Sequence, residues 1–184
     1  SQPTFDLHVE GIPWSSVMDF FAAKGYDTWC LDNEGYGRSD KSRDINFCVE
    51  NGAQDIVAAT DYILQHDQLK KVLLYGISSG ALKSALFTQW YPERVSRLAL
   101  DAFVWTGKES PTLVERRKML PNLVGVQRRP FNREVIQSVF DRDHPGTADQ
   151  KMIDAFAKAS LALDDSVPTG TYIDMCTKLP LIDP

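Results

Sequence analysis

An α/β fold with a mostly parallel sheet flanked by helices is the architecture this sequence predicts. Three observations carry it. Residues 71–86, Lys-Val-Leu-Leu-Tyr-Gly-Ile-Ser-Ser-Gly-Ala-Leu-Lys-Ser-Ala-Leu, form a short apolar run that stops at a Gly-x-Ser-x-Gly and resumes with helical spacing. Helical periodicity precedes this stretch at Ile56, Ala59 and Ile63, and an apolar strand pattern, Arg-Leu-Ala-Leu-Asp-Ala, follows it over residues 97–102. Alternating strand and helix units with apolar strands imply parallel pairing through right-handed crossovers.

In order, residues 5–9 read as a short strand and residues 10–14 as a loop. Ser15 or Ser16 can cap a helix reaching about Lys24, with Val17, Phe20 and Phe21 on its buried face and Gly25 as its stop. Residues 26–32 read as the next strand, with Cys30 as a small buried hydrophobe inside it. The loop Asn33-Glu-Gly-Tyr-Gly-Arg-Ser-Asp40 follows. Residues 51–66 carry a helical pattern, 72–75 a buried strand and 81–89 a helix that Tyr91-Pro92 ends. A strand over 95–102 comes after it. Beyond Phe103 the pattern changes to polar helices over 111–120, 132–140 and 148–163, punctuated by prolines. Their charged residues Arg133, Glu134, Asp149, Lys151 and Lys158 are expected to face water. Leu113, Met119, Phe140, Phe156 and Met175 are expected to supply apolar packing.

The 184 residues are 43% hydrophobic and 24% charged, which suits a globular chain with a sizeable core. A net charge of −5, with Lys and Arg scattered among acids, excludes an electrostatic nucleic-acid footprint. A small, largely uncharged substrate fits better. No apolar stretch approaches the roughly 20 residues that span a bilayer, and the N-terminus shows no signal-peptide pattern, so a soluble, cytoplasmic protein with no membrane partner is expected. Cys30, Cys48 and Cys176 are too scattered for a disulfide framework or a metal site. His8, His66 and His144 share no metal-ligand spacing. No metal and no cofactor are expected.

The serine at the centre of residues 76–80 carries the functional reading. The bare Gly-x-Ser-x-Gly arises by chance in roughly one chain of this length in twenty, so its context must supply specificity. Strand, sharp turn and helix are that context, and they expose Ser78 above the sheet in a strained conformation. The glycines at 76 and 80 are expected to avoid β-carbon collisions across the turn. Ligands of such sheets bind beyond the carboxyl ends of the strands, where Ser78, Gly35 and Phe103 should lie.

This element resembles the nucleophile elbow of the α/β-hydrolase family, and the resemblance extends from about Gly11 to Pro184. Asp32, Gly35, Gly37 and Ser39 match the family's Asp-x-Arg-Gly-x-Gly-x-Ser segment, with Glu34 where Arg is usual. Tyr91-Pro-Glu-Arg-Val95 resembles the family's junction after the elbow helix. The resemblance implies Ser78 as nucleophile, with oxyanion donors at the backbone N–H groups of Ser79 and Ile12. Glu10 replaces the family's His before Gly11, which bears on the Ile12 assignment. It further implies a partial core over residues 1–103, a helical cap over 104–178 and a lead-in to a further core strand over 179–184. Phe103 and Trp105, leaving the strand end, are the expected substrate-binding residues.

Serine needs a base and an acid to orient that base. In this fold the chain order is Ser, acid, His, and only His144 follows Ser78. It lies in Arg142-Asp-His-Pro-Gly146, a turn within the expected cap, where a structural role is the simpler one. The chain is expected to lack core strands at both ends, and with them the triad acid and histidine. Two function classes follow: a serine hydrolase cleaving an ester or amide through an acyl-enzyme, or a catalytically inactive hydrolase-fold binding protein or fragment.

Overall fold

The computed structural model describes residues 2–104, 106–142 and 144–179. Its helices are α1 (Val17–Ala22), α2 (Val49–His66), α3 (Ser79–Trp90), α4 (Pro111–Arg117), α5 (Arg133–Asp141), α6 (Gln150–Leu161) and α7 (Gly170–Thr177). Its strands are β1 (Val72–Ile77), β2 (Val95–Asp101), β3 (Arg128–Pro130) and β4 (Ser166–Pro168), pairing as β1 with β2 and β3 with β4. The chain forms two compact units. One comprises Ser1–Ser42 with Arg129–Val167, the other Arg43–Arg128 with Pro168–Pro184. The units therefore interleave along the chain.

In the unit built on residues 43–128, β1 and β2 run parallel with Tyr75 opposite Ala99 and Ile77 opposite Asp101. Alternation along a strand sends successive side chains to opposite faces. Leu74, Leu98 and Leu100 accordingly pack on a core of Val49, Ala53, Ile56, Leu82, Ala85 and Phe87, while Leu73 and Tyr75 are exposed. Helix α3 is buried along its length from Ala81 to Phe87, so it has no amphipathic stripe and behaves as a core helix. Helix α2 buries Val49, Gly52, Ala53, Ile56 and Thr60, a spacing of three to four that matches one helical face.

Buried polar groups join the loops of this unit to its helices. The Asp174 carboxylate, on α7, accepts the first N–H of α2 from Val49 at 2.8 Å, and Lys178 Nζ stands 3.2 Å from its other oxygen. Gly170 N–H donates to Asn46 O at 2.7 Å, and a β-carbon on Gly170 would meet the backbone of residues 46–48. Thr169 donates through both N–H and Oγ1 to carbonyls of residues 126 and 127. Tyr172 Oη donates to Arg116 O and Arg117 Nε to Cys176 O, tying α4 to α7.

In the other unit, α5 and α6 pack through Ile136, Ile153 and Ala157, with Phe140 and Phe156 edge to face at 5.7 Å. Asp32 accepts N–H bonds from Gln2 and Arg38, and a β-carbon on Gly37 would collide with its carboxylate. Gly37 N–H instead donates to buried Asp164 at 2.8 Å, and Lys41 Nζ lies 2.9 Å from the same carboxylate. The Asp32-to-Asp40 loop is thus held by charge-assisted bonds at both ends, which gives its two glycines an architectural task.

Several expectations need correction. Residues 5–9 and 26–32 form no strand; Trp29 and Leu31 are exposed, and the parallel sheet has two strands among the described residues. An apolar run becomes a strand only when a neighbour takes up its N–H and C=O groups, and local pattern does not supply that neighbour. Helix α1 has its Ser16 cap, with Oγ accepting from Asp19 N–H, and its Gly25 stop at φ 87°, but buries no residue; Phe20 and Phe21 are exposed. Cys30 is half-buried in irregular chain. Met119 is exposed rather than packed, whereas Leu113 and Met175 enter the core. Helix α7 went unforeseen because Thr-Gly-Thr-Tyr is a poor helix start, and packing overrides that propensity.

Asp174→Ala should lower the stability of the chain by about 2 kcal/mol, since it strands a buried helix N–H and removes the partner of Lys178. Asp174→Asn, which keeps an acceptor, should cost less. Urea unfolding of the two variants checks the order.

Candidate functional site

Ser78 links the end of β1 to the start of α3. Its backbone sits at φ 54°, ψ −118°, a conformation that L-residues rarely adopt and that costs on the order of 1–3 kcal/mol. The strain is imposed from both sides. Ser78 N–H donates to Asp101 O at 2.9 Å, extending the parallel ladder one residue past β1, while Ala81 N–H already donates back to Ser78 O at 3.0 Å as the helix begins. One residue must turn from strand to helix between these bonds. The side chain is exposed and makes no capping bond to α3.

The two glycines of the motif differ. A β-carbon at Gly76 would stand 2.6 Å from Ser84 Oγ, 2.7 Å from Gly80 O and 2.9 Å from Ala81 Cα, so β1 and α3 approach too closely there for any side chain. A β-carbon at Gly80 would meet nothing within 4 Å. The expectation of a collision therefore holds for Gly76 and is corrected for Gly80.

Ser79 is the first residue of α3, so its N–H is among those that no intrahelical carbonyl takes up. On the neighbouring strand, Asp101 accepts from Tyr75 Oη at 2.9 Å. Desolvation first, and then this bond to a carboxylate, push the Tyr75 phenol above its ordinary range. Ala102, which follows β2, also has a positive φ, 48°, so both adjacent strands end in left-handed, non-glycine residues. Phe103 comes next and is half-buried against the core of this unit. Trp105 lies outside the described residues.

Ile12 belongs to the unit that begins at Ser1, in a turn where its N–H donates to Val9 O at 3.1 Å. His144 lies in the same unit, exposed, in a turn closed by Thr147. Two groups of ligand-type side chains come together that spacing along the chain does not reveal: Asp6, His8 and Asp19, and Cys48, Glu50 and Asp174. In the second group Lys178 supplies the positive charge, 3.2 Å from Asp174 and 3.8 Å from Glu50.

Sequence reasoning passed over Lys83. It is 2% exposed in the middle of α3, and burial brings its ammonium down to about 8, with Asp55 and then Cys48 opposing the shift. Its signal was present in the chain: a single lysine inside Ala-Leu-Lys-Ser-Ala-Leu, a segment without a polar face.

The model of the alpha/beta hydrolase fold family matches residues 7–138. Among solved structures the chain is similar to E-2-(acetamidomethylene)succinate hydrolase, at 18% identity and TM-score 0.50, over 90% of this chain and 60% of that one. It is also similar to a Paleococcus ferrophilus monoacylglycerol lipase, at 14% identity and TM-score 0.61, over 97% of this chain and 63% of that one. The chain thus spans about three-fifths of the length of each, and at such identities the likeness is one of fold. No curated protein matches it. No helix among the described residues is long and apolar enough to cross a membrane.

Gly76→Ala should destabilise the chain by roughly 1–3 kcal/mol through backbone overlap, whereas Gly80→Ala should change stability by less than about 1 kcal/mol in either direction. Denaturant midpoints of the two single variants test the asymmetry. Equal losses would refute it.

Proposed function

This chain belongs to the α/β-hydrolase fold family, and on that premise we propose that it is a serine hydrolase acting on an ester or amide of a small, largely uncharged substrate. The observation that carries the reading is the backbone of Ser78, held at φ 54° beyond the carboxyl end of β1 with an exposed side chain. Strain of this kind persists only where surrounding structure over-determines it, and here it lifts a hydroxyl clear of both strand and helix.

In this mechanism Ser78 Oγ attacks the substrate carbonyl carbon, and its proton passes to a base. The tetrahedral oxyanion accepts a hydrogen bond from Ser79 N–H, a preformed donor at the positive end of α3. Collapse breaks the bond to the alcohol or amine, which leaves with the proton, and water then hydrolyses the acyl-serine. Phe103 and Trp105, immediately after β2, are assigned to the substrate's apolar part, and the helical insertion of residues 104–178 to selecting its length.

A second reading, a hydrolase-fold binding protein without turnover, is favoured by one observation. The N–H of Ile12, expected as an oxyanion donor, is already used by Val9 O. The readings separate on covalent chemistry. A fluorophosphonate probe should add its mass to Ser78 and to no other serine, and hydrolysis of an activated ester should fall by about 10³-fold or more in Ser78→Ala. Background hydrolysis equal in wild type and Ser78→Ala would leave the binding reading.

Trp105→Ala should shift the preferred acyl length without abolishing Ser78 labelling, because it removes a large apolar side chain and leaves the nucleophile intact. A p-nitrophenyl ester series gives the profile; an unchanged one removes Trp105 from the pocket.

A further inference from the structure

Lys83 is an expensive residue to place where it is. An ammonium inside a protein interior loses its hydration, and Lys83 is 2% exposed. Its stem crosses α2 at Gly52, where any β-carbon would overlap Lys83 Cδ, Cε and Cγ. A glycine inside an 18-residue helix is unfavourable relative to alanine. The chain thus bears two separate penalties, a notch in α2 and a buried amine in α3, at one contact between the helix that starts at Ser78 and its neighbour.

We infer that Lys83 is a positioning residue for Ser78: the charge on its amine governs how firmly α3 seats in the Gly52 notch, and through α3 how firmly the Ser78 turn is held. Its catalytic consequence rests on Ser78 being the nucleophile; its effect on seating does not.

The groups that act on the amine are Asp55, one turn beyond Gly52 on α2, and Cys48 at the α2 N-cap. Cys48 donates to Asn51 Oδ1 at 3.1 Å and to Glu50 at 3.4 Å; its thiol is raised first by burial. Behind it stand Asp174 of α7 and Lys178. Burial disfavours the ammonium at this site, and Asp55 and then Cys48 work against that preference.

The sign follows from linkage. The amine titrates near pH 8 in the folded chain and at its ordinary 10.5 when unfolded, so the unfolded chain binds more protons between these values. The contribution of Lys83 to stability therefore rises as pH goes from about 8 to 10.5, and its burial penalty is fully present below 8. The turn should share that dependence, because Ser78 is the N-cap residue of α3.

The test compares wild type, Lys83→Met and Lys83→Arg across pH 6.5 to 10.5, by urea midpoint and by the rate at which a fluorophosphonate labels Ser78. We expect the wild-type midpoint, relative to Lys83→Met, to climb through this window. Labelling should show a several-fold rise centred near pH 8 that Lys83→Met removes and that Lys83→Arg, charged throughout, holds at its low value. A pH-independent difference between wild type and Lys83→Met, or a labelling rise that survives in Lys83→Met, overturns the inference. Should Lys83→Met fail to fold, Lys83→Arg replaces it as reference, and a constant gap between its midpoint and the wild type's is equally fatal. Absence of label on wild-type Ser78 at every pH defeats the nucleophile reading, while the midpoint profiles still decide the seating. Gly52→Ala should cost several-fold more in folding equilibrium constant with Lys83 present than in Lys83→Ala; equal costs would show that the notch does not serve the lysine.

Discussion

The contact on which this structure depends is the close approach of β1 to α3 at Gly76. With less than 3 Å between the position of a missing β-carbon and the α3 backbone, strand and helix are packed as tightly as main chains allow. That closeness leaves one residue to reverse the direction of the chain, and the parallel partner β2 removes the remaining freedom by taking the Ser78 N–H on Asp101 O. The positive φ of Ser78 is the geometric result. Neither a looser strand–helix packing nor a strand without a parallel neighbour would force it.

Within each unit the chain uses polar groups where a larger core would use apolar ones. Asp174 closes the first turn of α2, Thr169 holds the carbonyls that precede β3, and in the other unit Asp164 holds Gly37 and Lys41. Each is a buried acceptor or donor whose value lies in the groups it satisfies, and removing one leaves a partner desolvated and unpaired. Lys83 is the exception: the notch at Gly52 is carved to the size of its stem, yet burial disfavours its charge. Local economy would put an apolar side chain there and alanine at 52, so the departure points towards the turn that α3 supports.

The sequence alone determined the elements whose signal is local. Residues 72–77 and 79–90 were evident because an apolar run, a glycine-bounded turn and a helical period adjoin, and α2 because its apolar positions recur at helical spacing. Ser16 and Gly25 announced both ends of α1 through capping chemistry that needs no distant partner. Ser78 could be singled out for the same reason, since strand, turn and helix within fifteen residues constrain its backbone.

Only the tertiary structure decided whatever depends on residues far apart in the chain. Residues 26–32 have the composition of a strand and form none; Gly80 has the motif's spacing but no atom near enough to require a glycine. Helix α7 exists because Asp174, Thr169 and Gly170 meet residues 46–49 and 126–127, contacts that no window of sequence displays. Lys83 read as one more polar residue in a helix until α2 closed over it and placed Gly52 beneath its stem. Propensity and period act over a few residues, whereas burial and hydrogen-bond partners are set by the chain's return from a hundred residues away, and it is burial that turns an ordinary lysine into a titrating one.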